Sequence, residues 1–362
     1  MPVKKLSTKL RRNKKASSAQ VAPSRITNDT VAEHREKILA EGRRYKYPLQ
    51  YARHKLVINA IAIALAALVI LLALGYWQLY VVQNSSSFFY RVTRLAPLPI
   101  ASVDGEMARY SDYLVNYRAA EHYLSKFDQI SPDSDDGKLQ LRYKQRESLD
   151  IAIAYAYARK IADQKKLSVS SKQVQAVLEA MRNAANGELT KETSEASSQR
   201  VLGLSSDDLR YLVENSLLRT TSAFAIDDQA RTTVSQVKSE LAKNKDDFET
   251  VAKIVNKGQP DNVSLGNSGL VNMSTNFGGI RAKDIAELEK GKVSEPIKSI
   301  TTDGYYIVKV IERSDTQINF SFLHIPLKKF DQNLKELRAK GKIQEYISID
   351  LPKQQAPRQQ GE

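Results

Sequence analysis

The stretch Leu288 to Val310 reads LEKGKVSEPIKSITTDGYYIVKV, and Ile318 to Ile325 reads INFSFLHI. Both are rich in β-branched and aromatic residues, which suit a pleated, half-buried surface. Tyr305–Ile311 and Ile318–Ile325 are separated by the polar run ERSDTQ at 312–317, so the pair predicts an antiparallel hairpin with a longer loop. Seven of the fifteen glycines fall within 258–304, a density that marks turns between short strands. This strand-and-turn texture begins after Phe248. Upstream, helical periodicity takes over, so the whole reads as an α+β chain with its antiparallel sheet towards the C-terminus.

Working back from the hairpin, residues 100–245 predict a mainly helical module. Asp104-Gly105 is a turn signal, and Ser111 is placed to cap the helix after it. A long helix over about 139–165 carries Leu149, Ile153, Tyr157 and Ile161 four apart on one face. Ala152 and Ala156 beside that line let a second helix approach closely. Ser170 with Gln173 has capping-box spacing and opens a helix burying Val174, Val177, Leu178 and Met181. NGELTKETSEASSQ, 186–199, reads as a loop. Ser205 with Asp208 opens a fourth helix, and Ala230, Val234, Val237 and Leu241 mark a fifth over about 228–243. A last helix is expected over 330–347 and a disordered tail over 351–362.

Towards the N-terminus, Leu56 to Val82 is an uncharged run of 27 residues, LVINAIAIALAALVILLALGYWQLYVV. About 20 residues at about 1.5 Å each cross a hydrocarbon core. Tyr76, Trp77 and Tyr80 cluster at one end, where amphipathic rings favour the headgroup level. The run is apolar all round, unlike a core helix. No small-residue cleavage site follows it, so an uncleaved anchor is expected rather than a signal peptide. Residues 1–55 hold fifteen Lys/Arg against four acids, which accounts for most of the net charge of +14. That tail predicts a cytoplasmic N-terminus, contact with anionic lipid headgroups, and an extracytoplasmic C-terminal part. No aromatics interleave the run KKLSTKLRRNKK at 4–15, so specific nucleic-acid binding is not expected. Residues 83–99 read as a linker.

Some chemistries are excluded. The chain has no cysteine, and its four histidines are too dispersed for a local metal pair, so no metal site is expected. There is no phosphate-cradling loop and no Gly-x-Ser-x-Gly turn, so neither a nucleotide nor another cofactor is expected, nor a serine hydrolase.

Three segments resemble the parvulin (PpiC/rotamase) peptidyl-prolyl isomerases. DDFETVAKIV, 246–255, is similar to the start of that core. SLGNSGLV, 264–271, resembles its Gly-Gly-Asp-Leu-Gly loop. In 288–310, Leu288, Gly291, Val293, Ser294, Pro296, Gly304, Tyr305, Ile307 and Val310 follow the family's Leu-x-x-Gly-x-Ile-Ser-x-Pro…Gly-Tyr-His-Ile-x-x-Val pattern. An anchor, then PIASVDGEMARYSDY, then helices ahead of this core resembles the SurA/PrsA-type extracytoplasmic foldases. The resemblance implies a bacterial single-pass cell-membrane protein with a SurA-like helical module and a parvulin-like domain over 246–350. Its partners would be unfolded or exported polypeptides, and no cofactor is implied.

The chain departs from that family at the site. Tyr306 stands where the family has its second histidine, Gly269 replaces the loop Asp, and no histidine-bearing strand precedes Phe248. The strand, His324, Ile325 and helix at 318–341 look like the missing first strand displaced to the end of the domain; the alternative is an ordinary added strand. The resemblance makes Tyr306 and His324 the catalytic candidates, and Met273, Phe277, Ile285 and Phe322 the substrate-binding ones. Three functions follow: a folding factor with isomerase activity, the same scaffold with that activity weak or lost, or a non-catalytic envelope-assembly protein holding a fixed partner.

Overall fold

The structure, a computed structural model, describes residues 27–46, 48–128, 130–184, 187–257, 261–300 and 304–351. The basic run at 4–15 and the tail beyond 351 lie outside the described residues. The chain divides into two compact units, Met1–Gly75 and Tyr76–Glu362.

The first unit holds helix α1 (Asn28–Lys46) and most of helix α2 (Pro48–Tyr76), which runs on as a π-helical turn, Trp77–Val81. The stretch Lys55–Val81 is long and apolar enough to cross a membrane, and no part of its apolar window is buried.

The second unit begins with α3 (Ser87–Leu95), the hairpin β1 (Pro99–Val103) and β2 (Glu106–Arg109), α4 (Tyr110–Lys126) and α5 (Asp135–Lys165). Next come α6 (Ser171–Arg182), the short pair β3 (Asn183–Ala184) and β4 (Gly187–Glu188), α7 (Lys191–Leu202), α8 (Ser206–Ile226) and α9 (Asp228–Lys243). Then follow α10 (Phe248–Val255), β5 (Ser264–Asn267), β6 (Val271–Asn272), β7 (Asn276–Phe277), β8 (Ile280–Arg281), α11 (Ala282–Ala286) and β9 (Ile297–Lys298). The chain closes with β10 (Gly304–Arg313), β11 (Gln317–Pro326), α12 (Lys329–Ala339) and β12 (Ile343–Glu345).

Helix α5 is the axis of a helical lobe. Leu149, Ala152, Ala156 and Ala158 are fully buried, and the small residues let α4 and α8 pack closely. Inside this apolar core the Asp112 carboxylate accepts from Arg159 at 2.9 Å and from the Tyr211 hydroxyl at 2.5 Å, and Arg159 also reaches Asn215 Oδ1 at 3.2 Å. The Asp112 carboxylate has both oxygens engaged, whereas the buried Arg159 Nε has no hydrogen-bond partner. The capping box read at Ser170–Gln173 is present, and the helix start read at Ser205 with Asp208 is a capping box as well. Ser111 caps nothing. It lies within α4, buried, 3.3 Å from the Tyr211 hydroxyl.

The sheet lobe has strand order β5-β11-β10-β9, with β6 paired to the other end of β11. The hairpin expected from 305–311 and 318–325 is there: β10 and β11 pair antiparallel, with Tyr306 opposite His324, Val308 opposite Phe322 and Val310 opposite Phe320. Because side chains alternate, the two strands give the sheet two apolar faces. Tyr305, Ile307, Leu323 and Ile325 meet Phe224, α9 and α10 on one side. Tyr306, Val308, Val310, Ile318 and Phe320 meet Ile280, Ala282 and Ile285 on the other.

Several expectations are corrected. Residues 83–99 are not a plain linker, since they contain α3 and the start of β1. The loop expected at 186–199 contains most of α7, capped by Thr190; no residue of α7 is buried, so no apolar stripe marks it. Met181 is 52% exposed, because α6 buries only its Val174–Ala180 side. Helix α9 packs on the sheet and not on the helical lobe expected over 100–245. The segment expected as one helix over 330–347 is α12 and β12. Both leave the sheet lobe: β12 pairs with β1, and Phe330, Leu334, Leu337 and Ile347 join the helical core. The chain therefore crosses between lobes twice, at Asp227 and at Lys328. The buried Asp227 carboxylate ties the two crossings, accepting from the backbone N–H groups of Ala230, Lys328 and Lys329 at 2.9, 2.7 and 2.9 Å.

Candidate functional site

The face of the β10–β11 hairpin turned away from α9 and α10 is aromatic. Positions 320, 322 and 324 on β11 alternate onto it, and Tyr306 joins them from β10. The Tyr306 and His324 rings lie 4.6 Å apart, and Tyr306 and Phe322 5.6 Å. Phe277, from β7, meets Phe322 at 5.1 Å and Phe320 at 5.4 Å. These separations are those of favourable ring pairs. His324 Nδ1 stands 3.4 Å from the Ser264 hydroxyl on β5. Gly266 is Phe322's partner on β5, and a Cβ there would collide with the Phe322 ring. The missing side chain is what lets the ring lie over the neighbouring strand.

Tyr306 and His324 differ in access. Tyr306 is 4% exposed, with its hydroxyl packed against Gly278 in the turn between β7 and β8. That turn is latched to the segment after β9, where Ser299 Oγ donates to the Gly278 carbonyl and the Ile300 N–H to the Gly279 carbonyl, both at 2.9 Å. Phe322, His324 and Phe277 are half-buried and form the accessible part of the wall.

The structure thus brings Tyr306, His324, Phe322 and Phe277 together. Ile285 is fully buried behind them. It also lines a cavity of about 210 Å³ shared by Ala176, Val177 and Ala180 of α6 with Ile280, Ile297 and Ile300 of the sheet lobe. Met273 is not brought in. Its N–H donates to the Thr316 carbonyl at the β10–β11 turn, the opposite end of the hairpin from Tyr306. Phe320, Gly266 and Gly278 were missed by sequence reasoning. The alternation that selects Phe322 and His324 also selects Phe320, so that residue had a signal; the two glycines are defined only by what packs on them.

An aromatic wall of this kind can pack against an apolar ring, and an imidazole at its edge can donate to or accept from an adjoining amide. Residues 219–321 match the family model described as PPIC-type PPIase domain. The match opens in α8, takes in α9, α10 and the sheet, and stops within β11, short of His324. The chain therefore carries a parvulin-like domain, a kind of domain that binds peptide substrates. No curated protein and no solved structure matches the chain.

Proposed function

We propose that the protein is a membrane-anchored extracytoplasmic folding factor of the SurA/PrsA type. Its parvulin-like lobe would hold X–Pro segments of unfolded or exported polypeptides, with its isomerase rate weak or lost. The observation that carries this reading is the wall that Tyr306 and Phe277, inside the matched residues, form with Phe322 and His324, just beyond their end. The stretch Lys55–Val81 would be the anchor, with the basic tail on the cytoplasmic side against anionic lipid.

Isomerisation has a barrier of about 18–20 kcal/mol, set by amide resonance. A catalyst lowers it by removing water and offering preorganised polar groups to the twisted amide. Here a phenol replaces the expected imidazole, and that phenol is packed under the Gly278 turn. Loss of one such donor costs roughly 100- to 1,000-fold in rate. Binding needs only the apolar wall and the neighbouring cavity, so it survives that loss.

The test is a paired assay on the detergent-solubilised chain. It should suppress aggregation of an unfolded protein, and Phe277→Ala with Phe322→Ala should weaken that effect. It should accelerate X–Pro isomerisation of a short peptide little. A robust rate abolished by both His324→Ala and Tyr306→Phe would overturn the weak-isomerase reading. No effect in either assay would favour a fixed-partner envelope role.

A further inference from the structure

The apolar run ends inside folded structure rather than in a loose tether. Leu79 is 2% exposed, and its carbonyl accepts from the Tyr110 hydroxyl. The Tyr80 hydroxyl donates to the Pro99 carbonyl at 2.6 Å, and the Asn84 N–H to the Gln78 carbonyl at 2.9 Å. Helix α3 begins at Ser87, six residues after Val81. At no more than about 3.5 Å per residue, its first turn lies within about 20 Å of the end of the run.

Helix α3 has two different sides. Inward, Tyr90 and Thr93 are buried, and the Tyr90 hydroxyl donates to Asp208 at 2.5 Å. Outward, Phe88 is 67% and Leu95 87% exposed. They are two turns apart, and Arg91 lies between them on the same side, whereas the Arg94 guanidinium turns back onto the Tyr211 ring, 3.7 Å from its centroid. Exposed apolar side chains at this spacing, accompanied by a guanidinium group, suit the boundary between acyl chains and phosphates. A helix of nine residues binds such a surface weakly by itself, but tethering beside an anchor supplies a high effective concentration.

We propose that α3 lies on the bilayer surface, with Phe88 and Leu95 at the headgroup–acyl boundary and Arg91 on an anionic phosphate. This rests on the reading of Lys55–Val81 as a membrane span. The absence of cysteine makes the test direct. The full chain is reconstituted in mixed phosphatidylcholine–phosphatidylglycerol vesicles carrying a shallow doxyl-lipid quencher. Fluorophores are placed singly through Leu68→Cys, Phe88→Cys, Leu95→Cys or Lys253→Cys. The probes at 88 and 95 are expected to be quenched by lipid while that at 253 is not. Adding Arg91→Gln should lower the docked-to-free ratio at 95 roughly fivefold.

If the probe at 68 is quenched by a deep doxyl lipid while those at 88 and 95 behave like 253, the span stands and this proposal fails. If 68 is unquenched, the span reading fails and takes this one with it. A probe at 95 shielded from aqueous quencher yet untouched by doxyl lipid would mean that protein covers this face, which also overturns the proposal.

Discussion

Gly278 and Gly279 form the two-residue turn between β7 and β8 with φ of 54° and 76°, the left-handed pair that a type I′ hairpin turn needs. A side chain at 278 would carry two costs, because its Cβ would also collide with the Tyr306 hydroxyl. Gly291 also sits at positive φ, 81°, but with open space around it. Gly291→Ala should therefore cost the backbone strain alone, about 1–2 kcal/mol. Gly278→Ala should cost more, by about 1–3 kcal/mol for displacing a packed ring. Denaturant midpoints of the two variants check this. Equal losses would mean that Tyr306 is not held under the turn. The type of residue at 306 was legible in the sequence, but its poor access was not, since the turn that covers it lies 28 residues away in the chain.

Helix α12 shows how an element is read correctly and assigned to the wrong neighbours. The spacing of Phe330, Leu334 and Leu337 predicts a helix with one apolar face, and the helix is there. Periodicity says that a face must be covered but not by what. The cover is the helical lobe: Phe330 is 3% exposed, its ring 5.0 Å from that of Tyr157 and 5.6 Å from the Arg219 guanidinium. Phe330→Ala is thus expected to destabilise the helical lobe, by about 3–5 kcal/mol. Hydrogen exchange of α5 and α8 should accelerate more than that of β10 and β11. Preferential loss of protection in the sheet would contradict this packing. Helices α3 and α7 were missed for the converse reason. Alpha7 buries no residue, and the outward side of α3 breaks the usual polar-out pattern.

Across the molecule, the C-terminal elements lock onto the lobe where the second unit starts. Arg146 of α5 donates to both Glu345 oxygens at 2.7 Å, and Arg338 bridges Glu345 and Asp150 at 3.0 and 2.8 Å. The hydrogen bonds from Arg146 hold the Glu345 carboxyl below its ordinary value near 4.5, although partial burial opposes them. A carboxylate lowered in the folded state binds its proton first in the unfolded chain. Its contribution is therefore complete above about pH 4.5 and is lost as pH falls through the lower folded value. The melting temperature should drop more steeply on acidification in the native chain than in Glu345→Gln. Parallel acid limbs would show that the pair does not secure the C-terminus.

The sequence by itself determined what depends on neighbours a few residues away. The apolar run from Leu56 to Val82, the capping box at Ser170–Gln173, the helix start at Ser205, the face of α5 and the β10–β11 hairpin all follow from spacing along the chain. It also paired the strands that carry Tyr306 and His324, although only the structure set the register that puts the two opposite one another. Only the tertiary structure decided which elements share a core. Helix α9 went to the sheet, α12 and β12 returned to β1 and α5, and Met273 was left at the far end of the hairpin. These are choices between apolar surfaces of similar composition, made by shape and by pairing across as many as 244 residues, as Ala101 opposite Glu345 shows. Local periodicity carries no information about such choices.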